Sequence, residues 1–278
     1  MGLKFIGASH KLRGSKIILW GVPLDETTSF RRGTSSGPER IRLMSYGLET
    51  YSPISDRDLS EIIFFDAGDI LIPRGNIERS VKNIESFAYS FLKRGFKLLT
   101  LGGEHLISLP LVSAAFRIFP NLKVIHLDAH ADLREHYLGN HLSHASVMRR
   151  ICDFLPPSNL YQLGIRSGTK KEFEFAKNNV SLLSPSLTDI EKIIESDLKE
   201  SPIYLTLDID VVDPAFAPGT GTPEPGGVTP REIFDFLKKL RGLNIISADV
   251  VEISPPNDIS DITSLLGAKI VREILFLL

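Results

Sequence analysis

The sequence predicts an α/β fold, a single three-layer αβα domain over residues 1–278 built on a mostly parallel, doubly wound sheet. Three observations carry this expectation. Short apolar runs rich in β-branched residues alternate with longer segments of helical period. The runs are continuously apolar rather than alternating, as strands covered on both faces are. The length of 278 residues suffices for one large core, and 42% hydrophobic with 24% charged residues matches a globular chain and excludes a disordered one.

In chain order, strands are expected at residues 17–20, 62–65, 97–101, 123–127, 160–164, 203–207 and 244–251. A helix is expected over 77–94, where Val81, Ile84, Phe87, Ala88, Phe91 and Leu92 recur three and four apart and Gly95 supplies the stop. Residues 187–198 and 230–240 read as helices too, the latter capped by Thr229 with Pro230 in its first position. The Pro/Gly-rich stretch 214–230 lies between a strand and a helix and reads as a long loop, not a domain boundary. The final segment, 258–278, carries Ile270, Val271, Ile274 and Leu275. It reads as a core-packed helix, with a subunit interface as the sharper alternative.

The 32 basic and 34 acidic residues give a net charge of -2, and no basic run argues for a nucleic-acid partner. One cysteine, Cys152, fits a reducing, cytoplasmic setting. No apolar run approaches the ~18 residues of a membrane span, and the first residues carry no apolar signal region. Ile6 breaks the myristoylation pattern that Gly2 would open. The expected partner is a small molecule, not nucleic acid or membrane.

Six of the seven histidines fall between His105 and His144, interleaved with aspartates at the ends of expected strands. In an open α/β sheet those ends form the ligand crevice. Three clusters matter: Gly102-Gly103-Glu104-His105, Asp128-Ala129-His130-Ala131-Asp132 and Asp208-Ile209-Asp210. In extended chain, alternate residues share a side, so continued strand conformation would bring Asp128, His130 and Asp132 together, and likewise Asp208 with Asp210. Four carboxylates aimed at one crevice would repel and rise in pKa. Two divalent cations would balance them, and Asp/His donors without thiolate suit Mn²⁺, Fe²⁺ or Zn²⁺. Two such ions roughly 3.5–4 Å apart can share a hydroxide nucleophile. Each cluster alone has a blander reading as a turn or cap, and only their conjunction makes the metal reading strong. His126 precedes its cluster within a strand and reads as a supporting or core residue, whereas His136 and His141 read as solvated loop histidines.

These motifs, in this order, resemble the ureohydrolase (arginase/agmatinase) family. The third continues as Asp208-Ile209-Asp210-Val211-Val212-Asp213-Pro214 through Gly219-Thr220-Gly221-Thr222-Pro223-Glu224-Pro225-Gly226-Gly227 and is highly specific. The likeness extends over Gly21-Val22-Pro23-Leu24-Asp25, Gly37-Pro38 with Ile41-Arg42, Asp66-Ala67-Gly68-Asp69 and Val251-Glu252-Ile253-Ser254-Pro255, nearly the whole chain.

The resemblance implies an arginase-like fold and two Mn²⁺ ions per subunit. His105 and Asp132 would hold one ion, His130 and Asp210 the other, and Asp128 and Asp208 would bridge them. It further implies that a bridging hydroxide attacks the guanidinium carbon, that His144 donates a proton to the leaving amine, and that Glu252 receives the guanidinium. His141 is the rival proton donor, because the loop alignment admits a shift. Asp249 is a weaker rival to Glu252. Arginases hold the substrate's α-amino group through an aspartate where this chain has Ser167, and the loop 134–143 also departs from their pattern. Both departures favour agmatine, hydrolysed to putrescine and urea. Arginase, guanidinobutyrase, guanidinopropionase and formiminoglutamase activities stay open, since Arg134 and Arg166 near the site would suit a carboxylate-bearing substrate. A non-catalytic metal-binding homologue and a dinuclear phosphoesterase are weaker alternatives. The first must explain why all eight site residues are present together, and the second lacks a Lys/Arg cluster beside the metal motifs. The resemblance also implies a homo-oligomer, trimer or hexamer.

Overall fold

A computed structural model describes residues 2–73 and 75–278. The chain runs β1 (Ile17–Val22), α1 (Gly37–Ser45), a short hairpin of β2 (Tyr51–Ser52) and β3 (Arg57–Asp58), then β4 (Phe64–Asp69), α2 (Ile77–Leu92), β5 (Lys97–Gly102), α3 (Ser108–Phe116) and β6 (Lys123–Leu127). It continues through α4 (Val147–Ile151), β7 (Leu160–Leu163), α5 (Lys170–Asn179), β8 (Leu182–Ser184), β9 (Ile203–Asp208), α6 (Pro230–Lys239), β10 (Ile245–Val251) and α7 (Ile262–Leu275). Eight strands form one sheet in the order β4-β1-β5-β10-β9-β6-β7-β8. Every neighbouring pair in it is parallel, so its crossovers lay helices over both faces.

The strands are apolar throughout because successive side chains enter opposite layers. Leu99, Leu101, Leu205 and Leu207 join α6 and α7 on one side, while Leu98, Val124 and Tyr204 join α2, α3 and α4 on the other. Trp20 of β1 stacks on Phe87 of α2, ring centroids 4.1 Å apart. α7 buries Ile270, Val271, Ile274 and Leu275 and packs beside α1, so its apolar side belongs to the core. Arg42 of α1 is 2% exposed and grips Asp66 of β4 with Nε and a terminal nitrogen at 2.8 and 3.0 Å. This paired geometry, with Asp69 beside it, explains structurally why Arg42, Asp66 and Asp69 carry the family pattern.

Several local expectations change. The strand expected at 62–65 begins at Phe64 and runs on to Asp69. The helix expected over 187–198 is a 3-10 segment, Leu187–Lys192, followed by one π turn, Ile194–Leu198. Leu187 and Ile190 are buried three residues apart, a spacing that a three-residue turn satisfies, and Ile193 leaves helical geometry between the two turns. α3 escaped notice because it is buried nearly all round and shows no stripe. α5 is mostly polar and starts from a capping box between Thr169 and Glu172.

Candidate metal centre

The sheet order sets the site. β5, β10, β9 and β6 lie side by side at its centre, and their C-terminal ends deliver His105, Glu252, Asp208 and the 128–132 segment to one crevice. The turn after β5 must pass against the end of β1, and a Cβ on Gly103 would collide with the Leu24 backbone. Beyond it, His105 opens a 3-10 turn and is 1% exposed.

The hydrogen bonds behind His105 define its tautomer. Asp249 is fully buried and accepts from Ser108 Oγ (2.8 Å), Tyr204 Oη (2.5 Å) and Thr206 Oγ1 (2.6 Å). The Thr206 proton is therefore committed, and its oxygen, 3.0 Å from His105 Nε2, accepts the ring N–H. In the neutral ring that leaves Nδ1 with the lone pair. It faces Asp128 Oδ2 at 3.0 Å, Asp132 Oδ2 at 3.3 Å and Asp208 Oδ2 at 3.3 Å, and it has no hydrogen-bond partner among the described residues.

Each of three aspartates spends one oxygen on a backbone N–H and aims the other inward. Asp128 Oδ1 accepts from His130 N at 2.6 Å, Asp208 Oδ1 from Asp210 N at 2.8 Å, and Asp210 Oδ1 from Ala129 N at 3.0 Å. Asp210 Oδ2 is then 3.0 Å from His130 Nδ1, and Asp128 Oδ1 is 3.5 Å from the same nitrogen. Asp128 thus faces both histidines, with one oxygen toward each. Donor atoms of Asp128, Asp132, His105 and His126 lie within 4.8 Å of one another, and so do those of Asp128, His130 and Asp210. All six residues singled out in the sequence meet here. They do not meet by strand alternation, however: β6 stops at Leu127, Asp132 takes a positive φ of 53°, and Asp210 sits in a 3-10 turn. Loop geometry anchored by those N–H bonds does the converging.

Electrostatics shows that this donor set wants cations. Burial drives Asp208 well above the carboxylate range, and burial with the Asp128 charge pushes Asp132 up to about 7. Asp128 stays well below that range, because the rings of His105, His126 and His130 gathered around it outweigh its burial. Burial opposes charge on His105 and His130, yet the surrounding carboxylates raise both rings well above the imidazole range. Without metal the centre must retain protons, and divalent cations are the natural replacement. His105 Nδ1 and Asp210 Oδ2, neither with a hydrogen-bond partner among the described residues, and the Asp/His donor set without sulfur fit a binuclear site of borderline or hard ions.

Above the centre lies a cavity of about 190 Å³. Glu252 lines it in left-handed backbone geometry (φ 64°), its Oε1 accepting from His105 N at 2.7 Å, and burial holds its carboxyl well above the usual range. His144 lines it too, its Nδ1 3.4 Å from Thr27 Oγ1 and its Nε2 3.4 Å from Ser29 Oγ. Burial lowers the His144 ring to about 4. His141 is exposed and outside the cavity wall, and so is His136. Asp249 lies behind His105 rather than in the cavity.

Of the two candidate carboxylate binders, Arg166 is consumed by the carbonyls of Gly164, Asp210, Val211, Glu224 and Pro225. Arg134 does line the cavity, near Glu172 and over the Tyr137 ring. Sequence reading missed Thr27, Ser29 and Tyr137, which carry no motif. It also missed the supporting role of Glu104, whose oxygens take Thr27 N at 2.7 Å and Thr27 Oγ1 at 3.0 Å and so fix the loop that holds His144. The Gly-Gly-Glu-His motif was the available signal for Glu104.

Comparison with known proteins agrees with this geometry. An agmatinase of Bacillus anthracis is 45% identical over 277 residues, covering 99% of this chain and 96% of its own. A guanidinobutyrase of Pseudomonas aeruginosa is 35% identical, covering 93% of this chain and 85% of its own. The crystal structure of the agmatine ureohydrolase of Thermoplasma volcanium superposes with a TM-score of 0.87 at 30% identity, covering 99% of this chain and 94% of that one. The profile of the Arginase family matches residues 15–277, and with the eight-stranded parallel sheet and the His/Asp centre at its middle, the chain belongs to the arginase family.

Proposed function

We propose that residues 1–278 act as one catalytic domain, a metal-dependent ureohydrolase that converts agmatine and water into putrescine and urea. The observation that carries the reading is the pairing of two His/Asp donor groups through Asp128 directly beneath a cavity walled by Glu252 and His144. Agmatinases 43–45% identical over the whole chain support the substrate. Two divalent cations, manganese in our reading, would be held by His105, Asp132, Asp128 and Asp208 on one side and His130, Asp210, Asp128 and Asp208 on the other. Bound there, they supply the means to ionise water at neutral pH.

The chain's own residues do the rest. Glu252 has Oε1 committed to His105 N and offers its other oxygen to the guanidinium N–H groups, which aligns the planar cation with the centre. His144, held neutral by its burial and steadied between Thr27 and Ser29, takes up the proton that the attacking water loses and passes it to the leaving nitrogen as the C–N bond breaks. A guanidinium and one water become neutral urea and one ammonium, so charge balances and no proton is left over. The cavity has the size for a small chain molecule, and Ser167 in its wall stands where arginases place the acid that holds an α-amino group.

One observation favours a second reading. The Arg134 guanidinium in the cavity wall would suit a guanidino acid such as guanidinobutyrate. Urea release from agmatine, arginine, guanidinobutyrate and formiminoglutamate, with Mn²⁺ and with chelator, separates the two. Agmatine should give the highest kcat/KM, and chelation should abolish turnover. Preference for guanidinobutyrate would replace the substrate assignment, and turnover surviving chelation would overturn the metal one. We also propose a cytoplasmic homo-oligomer, trimer or hexamer, testable by light scattering. No helix among the described residues is long and apolar enough to cross a membrane.

A further inference from the structure

His126 and Gln162 occupy paired positions on β6 and β7, and both are fully buried polar residues beneath the centre. Burial of two such side chains costs free energy unless their hydrogen bonds are made. Gln162 Nε2 is 2.7 Å from the Ala131 carbonyl and 3.0 Å from His126 Nδ1. The carbonyl decides the amide's orientation. Flipping it would set Oε1 against the Ala131 oxygen, two acceptors face to face, so the NH₂ group must point there. This orientation holds even though Oε1 then lacks a partner among the described residues. The second amide proton consequently goes to His126 Nδ1, which must be bare. The ring proton sits on Nε2, and Nε2 is 2.8 Å from Asp128 Oδ2.

We propose that Gln162 and His126 form a relay from the Ala131 carbonyl to Asp128, fixing a carboxylate that both metal pockets share and thereby setting cation affinity without touching cation or substrate. It rests on the two-cation reading of the centre and deepens it. His126 lies close enough to be taken for a ligand, since its Nε2 belongs to the same group of donor atoms as His105 and Asp132. The relay excludes that role, because the proton on Nε2 is spent on Asp128 and the bare nitrogen faces Gln162. Ala131 lies between His130 and Asp132, so the same amide also ties the donor-bearing loop to β7. A donor of this kind holds the carboxylate's orientation and keeps it ionised for the cations.

The test measures Zn²⁺ dissociation constants, Zn²⁺ serving as a diamagnetic probe, on the full chain and on His126→Leu, Gln162→Leu, the double variant and His126→Gln. Each single leucine variant should bind about 10–100-fold more weakly. The double variant should be no weaker than His126→Leu, because Gln162 acts through the imidazole. His126→Gln, whose amide reaches the place of Nε2, should recover most of the loss. Ring ¹⁵N shifts in apo and Zn²⁺-loaded protein should show a protonated Nε2 and a bare Nδ1. Unfolding of the chelated variants checks folding, and should His126→Leu fail to fold, Gln162→Leu carries the comparison. Wild-type affinity in both leucine variants, or a bare Nε2 in loaded protein, overturns the relay alone. A wild-type chain that binds neither Zn²⁺ nor Mn²⁺ overturns the metal reading and the relay with it.

Discussion

Thr206→Val removes one hydroxyl and leaves the shape unchanged, so its effect isolates the hydrogen bonds behind His105. In the native chain that oxygen accepts from His105 Nε2 at 3.0 Å and donates to Asp249 Oδ1 at 2.6 Å. The imidazole N–H then has no other partner among the described residues, and an orphaned buried donor costs about 1–3 kcal/mol. Asp249 keeps Ser108 and Tyr204 but loses one donor of three, and a hydrogen bond to a charged group contributes about 1.5–3 kcal/mol. The added methyl returns about 0.8 kcal/mol of apolar burial. The net expectation is a loss of about 3 kcal/mol, or roughly 6–12 °C in Tm for a chain of this size. Urea unfolding followed by far-UV circular dichroism, in chelator so that metal does not contribute, should show a lower midpoint at constant slope. A change under about 0.5 kcal/mol, the range of ordinary surface substitutions, would show that Thr206 does not hold the His105 ring and that the tautomer argument is wrong.

Gly103→Ala forces a Cβ onto the Leu24 backbone and should cost about 1–3 kcal/mol or more, read by the same unfolding assay. Arg166→Met strips the ties between five carbonyls and should lower stability by about 2–3 kcal/mol. It should leave the ratio of kcat/KM for agmatine and guanidinobutyrate unchanged, whereas Arg134→Met should shift that ratio toward agmatine, because only Arg134 faces the cavity. Burial pushes the Cys152 thiol up to about 12, so the native chain should react slowly with a thiol reagent at pH 8 and quickly in urea. A folded pKa above the unfolded one gives stability that is whole below about 9 and is lost as pH rises toward about 12. Cys152→Ser should therefore flatten alkaline unfolding in that window.

The site residues were legible because their chemistry is local and repetitive. Carboxylates and imidazoles clustered after apolar runs in three separate segments, spaced two apart in two of them, require a shared cation to be tolerable, and Asp128, His130, Asp132, Asp208, Asp210 and His105 all reach one crevice. The family likeness supplied Glu252 and His144, and the cavity contains both. Illegible residues are those whose partners lie far along the chain. Gln162 matters only because β7 pairs with β6, and Thr27 only because Glu104 lies 77 residues away. The segment 187–198 misled for another reason: apolar residues three and four apart do not distinguish an α-helix from 3-10 and π turns in succession.

By itself, the sequence determined the class of fold, the strand positions near the motifs and the kinds of donor atom, since each follows from periodicity and side-chain chemistry over a few residues. Only the tertiary structure decided that β9 and β10 insert between β5 and β6, which turns motifs over 100 residues apart into neighbours. It also decided which oxygens point inward, because backbone N–H groups at the strand ends bind one oxygen of Asp128, Asp208 and Asp210 and turn the other toward His105 or His130. The physical reason is that sheet order and hydrogen-bond direction are settled by packing across the whole core, a property no single stretch of sequence carries.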